Sequence, residues 1–177
     1  MNYCNPARTQ RDLVSIIIPV HDVQKAEQCV KALDSQTYRA LEIIQVKFKG
    51  FPAEKRNYGF KKSHGAFVLF LDEDEYPSPT VIEECVQKAR KGYDIVSIPI
   101  RKKIGSGYRS QCIALIREGT FKAMFFQRNT LCRIGLLDPE FILSDDVEIR
   151  ERAARNNCTT ITIDSGYYAC CFSWNID

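Results

Sequence analysis

The stretch AFVLFLDED, residues 66–74, decides the fold and points to the chemistry. It has the pattern of a buried apolar strand that stops at three acidic residues. Because side chains alternate along an extended segment, we expect Asp72 and Asp74 on one side and Glu73 on the other. Two converging carboxylates repel each other unless a cation lies between them, and hard oxygen ligands suit Mg²⁺ or Mn²⁺. The alternative is that the acidic run begins a solvated turn, closed by Pro77.

Strands and helices alternate on both sides of this stretch, which predicts an α/β fold. The run LVSIIIPV at 13–20 is typical of a strand that is covered on both faces. We therefore predict one domain over 1–177, with its core at about 13–164, a mostly parallel central sheet and helices on both faces. Strands are predicted at 13–20, 41–46, 66–71, 94–98, 111–116, 125–128 and 159–163, with a turn or loop at 104–107. Helices are predicted at 23–33, from 52, after 79, around 130–134 and at 145–156.

Several residues predict where these helices begin and end. Asp22 is a suitable N-cap, and Pro52 can occupy the first position of a helix. Gly65 and Gly92 are each expected just past a helix, Gly65 as a left-handed cap. The apolar, aromatic tail at 165–177 is expected to pack against the domain or a partner, which makes a homodimer through this tail a hypothesis.

Charge and hydropathy exclude some classes of protein. The formal net charge of the 177 residues is only +3, which argues against nucleic acid as the partner. No segment has the apolar length needed to span a bilayer, and the first residues lack a signal region. We expect a cytoplasmic protein, with peripheral attachment to a membrane as the alternative.

The chain contains eight cysteines, a large number for that compartment. No CxxC pair is present, so a zinc site is poorly supported. Cys29 and Cys85 fall on the apolar faces of predicted helices and are expected to be small core residues. Because intracellular proteins of hyperthermophiles often contain disulfides, we hypothesise a thermophilic source and one or two disulfides.

Ligands of open α/β sheets bind beyond the carboxyl ends of the strands. That rule brings Pro19–Asp22, the loop Lys47–Gly50 and the acidic cluster to one edge. Arg56 and Asn57 lie on the helix after the second strand, where Arg56 could contact a phosphate or a base. The alternatives are a surface ion pair for Arg56 and a helix-to-loop hydrogen bond for Asn57.

A second acidic pair, Asp145-Asp146, opens the predicted helix at 145–156. A carboxylate here could act as general base toward a hydroxyl group. The alternative for Asp145 is an N-cap that forms a capping box with Glu148. Capping explains Asp146 less well, although a carboxylate in the first turn also favours the helix dipole.

Taken together and in order, these segments resemble the inverting glycosyltransferases of family 2, which have the GT-A fold. The resemblance covers about residues 14–155. Its motifs are VSIIIPV at 14–20, ALDSQTY at 32–38, KRNYG at 55–59, HGAFVLFLDED at 64–74 and RNTLCRIGLLDPEF at 128–141, followed by Ser144-Asp145-Asp146 and Arg152. Each motif alone is weak, but five in order at suitable spacing are specific.

The resemblance implies a role for each matching residue. Asp74 would hold a divalent metal, Mn²⁺ or Mg²⁺, that bridges the diphosphate of a nucleoside-diphosphate sugar, and Asp72 would bind the ribose or help to hold the metal. Asp146, in the pair with Asp145, would deprotonate the acceptor hydroxyl. The donor-binding residues implied are Pro19, Val20, His21, Arg56, Asn57, Asp72 and Glu73. The acceptor, whether glycan, lipid or protein, is left open.

One departure from the family raises a rival function. The second strand of the family usually ends in an aspartate that binds the nucleotide base, whereas here the matching stretch, 46–50, is VKFKG. A non-catalytic module that binds a nucleotide sugar, or that serves in assembly, is therefore the alternative to an enzyme. A nucleotidylyltransferase would normally show a Gly-rich basic loop after the first strand, and VHDVQKA at 20–26 is not one.

Overall fold

The computed structural model describes residues 4, 9–102, 121–141 and 145–169. Strands and helices alternate along these residues, as the sequence predicts. The strands are β1 (Gln10–Pro19), β2 (Leu41–Val46), β3 (Gly65–Phe70), β4 (Glu75–Pro77), β5 (Ile95–Lys102), β6 (Phe121–Gln127), β7 (Thr160–Thr162) and β8 (Tyr167–Ala169). The helices are α1 (Val23–Leu33), α2 (Pro52–Lys62), α3 (Val81–Arg90), α4 (Arg128–Ile134) and α5 (Asp145–Arg155). The predicted loop 104–107 and strand 111–116 lie outside the described residues.

The strands form one mixed sheet in the order β2-β1-β3-β6-β5-β8-β4, with β7 also paired to β5. Four pairings are parallel, namely β1–β2, β1–β3, β5–β7 and β5–β8. Three pairings are antiparallel, namely β3–β6, β5–β6 and β4–β8. The register pairs Pro19 with Val46 and Ile17 with Phe70, so β1, β2 and β3 end at the same edge. That edge is the place where open α/β sheets bind ligands.

Helices cover both faces of the sheet, which confirms the predicted α/β architecture. Ile16 and Ile18 of β1 pack into one core cluster, against α1 and α3. Ile17 points to the opposite face and packs into a second cluster with α2, α4 and α5. Because both faces of β1 are buried, its sequence is a continuous apolar run and not an alternating one.

The predicted helix boundaries agree with the structure at α1 and α3, but α4 begins at Arg128, which was predicted to end a strand, and one predicted cap is wrong. The Asp22 carboxylate accepts hydrogen bonds from the first turn of α1, and Gly92, with φ at +98°, follows α3. The prediction that Gly65 caps α2 is wrong, because Gly65 is the first residue of β3 and Ser63 is the C-cap. A Cβ at Gly65 would lie 2.5 Å from the carbonyl oxygen of Leu13. Glycine is therefore needed here for close approach of β1 and β3.

The predicted tail, 165–177, contributes a strand to the sheet. Tyr167–Ala169 form β8, which pairs with β4 and with β5, and residues 170–177 lie outside the described part of the chain. The homodimer through this tail stays a prediction. No helix in the described ranges is long and apolar enough to cross a membrane.

The described cysteines include one disulfide and two buried core residues, as the sequence predicts. Cys4 and Cys132 form a disulfide, and Cys29 and Cys85 are buried core residues. The disulfide fastens the beginning of the chain to α4. A thermophilic source stays a prediction.

Candidate active site

A cleft opens at the carboxyl end of β3, between α2 and α5. It holds about 320 Å³ of empty space, including space open to solvent. The residues that line it are Arg56, Phe70, Asp72, Glu75, Met124, Leu137, Asp145 and Asp146. The two acidic sites that the sequence singled out therefore meet in one cavity, although they are more than seventy positions apart. The hydrophobic lining residues come from β3, β6 and the segment before α5.

Arg56 lies at the centre of this cleft and joins the two acidic sites. One terminal nitrogen of its guanidinium donates to the Asp72 carboxylate and the other donates to Asp145. The three side chains are largely buried, with exposed fractions of 12% for Arg56, 20% for Asp72 and 15% for Asp145. Burial acts to lower the pKa of Arg56, but the two facing carboxylates outweigh it and raise the pKa above its ordinary value. Arg56 is thus a permanent cation between two carboxylates.

The acidic segment after β3 is a turn, which was kept as the alternative in the sequence analysis. The strand ends at Phe70, and the Glu75 amide donates to the Asp72 carbonyl at 3.0 Å. In return, the Asp72 amide donates to the Glu75 carboxylate at 3.1 Å. The expectation that side chains alternate from Asp72 to Asp74 is therefore wrong, because the backbone is not extended there. Asp74 lies in this turn and does not line the cleft.

The turn nevertheless concentrates negative charge. Burial raises the pKa of the Cys29 thiol to about 12, and the four carboxylates of the turn add to the shift. Their contributions, in decreasing order, come from Glu75, Asp72, Asp74 and Glu73. All four carboxylates of the turn therefore lie close enough to α1 to disfavour the charged form of this thiol.

Glu73 connects this turn to the end of β1. Its carboxylate accepts hydrogen bonds from the backbone amides of His21, at 2.6 Å, and Asp22, at 3.0 Å. Val20 continues the parallel pairing, because its amide donates to the Val46 carbonyl at 2.9 Å. The predicted pocket residues at the end of β1 are thus fixed to the acidic turn.

Lys55 also contacts the end of β1, although the sequence pattern did not assign this residue to the site. Its ammonium donates to the Val20 carbonyl at 2.6 Å and lies 3.2 Å from Nδ1 of His21. The residue is only 1% exposed. Burial lowers its pKa, and the Glu73 carboxylate acts in the opposite direction. In the sequence, only its position beside Arg56 indicates that Lys55 belongs to the site. A lysine in a basic helix usually faces solvent, so its burial is not expected from the pattern.

Asn57 makes the helix-to-loop contact that was kept as its alternative role. Its side-chain amide donates to the Leu137 carbonyl at 2.7 Å and accepts from the Leu137 amide at 3.1 Å. It thereby holds the segment before α5 against α2. A direct role of Asn57 in donor binding stays a prediction.

The two acids of α5 have different surroundings. The Asp145 carboxylate pairs with Arg56, and the Glu148 carboxylate accepts from Arg152 at 2.6 and 2.9 Å. Both carboxylates of the proposed capping box therefore have other partners. Asp146 lines the cleft and makes no hydrogen bond or ion pair with the residues that the structure describes.

A model of one protein family matches residues 49–137, which is half of the chain, and its description is "Glycosyl transferase family 2". The chain belongs to glycosyl transferase family 2. This membership confirms the resemblance seen in the sequence motifs. The family 2 chain is also 27% identical over 119 residues to the uncharacterized glycosyltransferase EpsJ of Bacillus subtilis, in an alignment that covers 51% of this chain and 35% of EpsJ.

Solved structures show the same fold as this family 2 chain. TarS residues 1–349 of S. aureus, solved alone and in complex with UDP, match with a TM-score of 0.67 at 17% identity. That match covers 89% of this chain and 60% of TarS 1–349. The mannosyltransferase PcManGT of Pyrobaculum calidifontis, in complex with GDP-Man and Mn²⁺, matches with a TM-score of 0.70 at 16% identity, over 95% of this chain and 59% of PcManGT. The fold is therefore GT-A, and the chain spans between about a third and three fifths of the length of these proteins.

Proposed function

We propose that this family 2 chain is a glycosyltransferase that moves a sugar from a nucleoside-diphosphate sugar to an acceptor hydroxyl, with inversion at the anomeric carbon. The observation that carries the proposal is that Asp146 and Asp72 line one cleft at the carboxyl end of β3. An inverting transfer needs a base for the acceptor and a binding site for the departing diphosphate on opposite sides of the sugar. Two acidic sites from different elements suit that arrangement.

The charge of the cleft supports a divalent cation in the donor complex. Its lining includes four carboxylates and one guanidinium, and a donor diphosphate brings further negative charge. Asp72, which lines the cleft, and Asp74, two residues further on in the acidic turn, would hold such a cation, which would stabilise the charge that develops on the leaving group. The donor set fits Mn²⁺ or Mg²⁺, because these ions take one or two carboxylates and complete their coordination with phosphates and water.

The acceptor step is assigned to Asp146. Its carboxylate takes the proton of the acceptor hydroxyl while the acceptor oxygen forms a bond to the anomeric carbon. The bond from that carbon to the phosphate oxygen breaks, and the nucleoside diphosphate leaves with the electron pair. Asp145 is engaged by Arg56 and so is assigned a positioning role at the start of α5. His21, Val20 and Pro19 are proposed to form one wall of the nucleotide pocket.

Binding and transfer assays with UDP- and GDP-sugars, with and without Mn²⁺, test this function. Asp74→Asn is expected to abolish metal-dependent donor binding. Asp146→Asn is expected to keep donor binding but to lower transfer at least a hundredfold, because a general base contributes about that factor or more. Asp34→Asn, an exposed carboxylate at the end of α1, is the matched control and should change neither property. Loss of donor binding in Asp146→Asn would show that its role is misassigned.

The alternative is a non-catalytic module that binds a nucleotide sugar. The observation in its favour is the segment Lys47–Gly50 after β2, which offers no carboxylate to a nucleotide base. Calorimetry tests whether a UDP- or GDP-sugar binds at all, and assays of donor transfer and hydrolysis separate the two functions, since the module would bind the sugar nucleotide and neither transfer nor hydrolyse it. Donor turnover that disappears in Asp146→Asn would exclude the module.

A further inference from the structure

Both terminal nitrogens of Arg56 are occupied by carboxylates, and this has consequences for the donor site. One end of the guanidinium binds Asp72 and the other binds Asp145, which come from the acidic turn and from α5. Each of these nitrogens carries a second N–H group, but a rotation that turns the guanidinium itself toward a phosphate breaks at least one of the two pairs. Asp72, for its part, meets any incoming cation with one of its oxygens already bound to Arg56.

Arg56 is also incompletely satisfied. Its Nε is buried and has no hydrogen-bond partner among the residues that the structure describes. A buried N–H group without a partner costs free energy, and that cost falls when an acceptor reaches it. In the present arrangement the guanidinium binds two carboxylates while its Nε–H group has no acceptor among the described residues. An arrangement that also gave Nε–H an acceptor would have a lower free energy.

From these contacts we infer that Arg56 acts as an internal counter-cation that competes with the divalent metal for Asp72, and that donor phosphate relieves this competition by drawing Arg56 away. The inference rests on the proposed function, because it assumes that Asp72 helps to hold the metal. It assigns Arg56 a regulatory role in metal binding, beyond simple contact with the donor. Metal alone binds weakly in this scheme, and metal and nucleotide bind cooperatively.

The test measures Mn²⁺ affinity without nucleotide, by the electron paramagnetic resonance signal of unbound Mn²⁺. Arg56→Gln removes the competitor and should raise the affinity at least tenfold, which corresponds to about 1.4 kcal/mol. Arg90→Gln is the matched control, because it removes the same charge and also breaks an Arg–Asp pair, with Asp12, at an exposed site on α3. Its affinity should stay within about twofold of the native value. Asp145→Asn keeps Arg56 on Asp72 and should give no increase.

The second arm adds UDP or GDP. With saturating nucleotide, and after subtraction of the Mn²⁺ that the nucleotide binds in solution, the native protein should gain Mn²⁺ affinity strongly, whereas Arg56→Gln should gain much less because the competitor is already gone. If Arg56→Gln does not fold, as judged by its thermal unfolding, Arg56→Lys serves in its place. A lysine keeps the positive charge but lacks the planar fork of the guanidinium, so it should compete less well for Asp72 and a smaller increase of about threefold is expected.

The outcomes separate the inference from the function on which it rests. If native protein and Arg56→Gln bind Mn²⁺ equally well, or if Arg56→Gln binds it more weakly, the competition does not exist although the metal site does. If neither protein binds Mn²⁺, with or without nucleotide, the metal assignment fails and the inference fails with it. An equal increase in Arg90→Gln would show a general effect of charge and would also overturn the inference.

Discussion

Gly59 on α2 permits the close approach that places Arg56 over the cleft, and replacing it should be measurably costly. A Cβ at this position would lie 2.4 Å from Cγ2 of Ile17, and 3.3 Å from a second Ile17 carbon and from Cγ2 of Val46. Ile17 is 0% exposed and Val46 is 3% exposed, so neither side chain has room to withdraw. Gly59→Ala must therefore push α2 away from β1.

The magnitude follows from two opposing terms. Overpacking of a filled core costs about 1–3 kcal/mol, and alanine gains up to about 1 kcal/mol over glycine within a helix. Since 2.4 Å is far inside van der Waals contact, we expect the steric term to dominate, with a net loss of about 1–2 kcal/mol. For a chain of this size that corresponds to a fall in Tm of roughly 2–8 °C.

Urea unfolding of the native protein, Gly59→Ala and a matched control measures this difference. The control is Gly50→Ala, where the new Cβ would meet only the Glu54 carboxylate and the Phe48 ring. Both of these side chains are exposed and can turn away, although Glu54 would then lose its hydrogen bond with the Phe51 amide, so the loss of unfolding free energy should be smaller than in Gly59→Ala. If Gly59→Ala is as stable as Gly50→Ala, the helix is not held by close contact with β1 and the reasoning fails.

Two further predictions concern acid stability and the cysteines. Burial acts to raise the pKa of Asp94, but hydrogen bonds from Thr159 and Thr130 outweigh it and hold the pKa below its ordinary value. The ionised Asp94 carboxylate therefore stabilises the fold fully above about pH 4, and this stabilisation is lost as the pH falls through the folded-state pKa. In Asp94→Asn the free energy of unfolding should therefore decrease less below pH 4 than in the native protein. For the cysteines, the disulfide of Cys4 and Cys132 predicts at most six reactive thiols among the eight cysteines of the denatured, unreduced protein; eight reactive thiols would contradict it.

The helices and the long strands could be predicted from the sequence because local signals specify them. Asp22 and the spacing of apolar residues predict α1, and β2 has the predicted bounds, Leu41–Val46. The strands β4 and β8 were missed because each has three residues, too few for a period to show, and because their pairing joins residues about ninety positions apart. The acidic turn was uncertain for a related reason, since a run of acids at a strand end fits a turn as well as a strand.

The sequence predicts which aspartates belong to the candidate site, but it does not predict which side chains contact each other there. Asp72, Asp145 and Asp146 carry a recognisable pattern, and the fold brings them to one cleft. The role of Arg56 depends on partners 16 and 89 positions away, and no local pattern indicates such pairs. Lys55 was overlooked for the same reason, because its burial is a property of the assembled sheet edge.

The contacts of α2 explain why this helix, more than the acidic turn, organises the site. Successive residues of a helix point about 100° apart, so Lys55, Arg56 and Asn57 must face three directions. Lys55 binds the end of β1, Arg56 binds the acidic turn and α5, and Asn57 binds the segment before α5. About one turn later, Gly59 sets the short distance between the helix and β1. A displacement of α2 would therefore disturb the proposed nucleotide wall, the proposed metal ligand Asp72 and, through Asp145, the start of α5 together, whereas a change in the turn would act directly on only the first two.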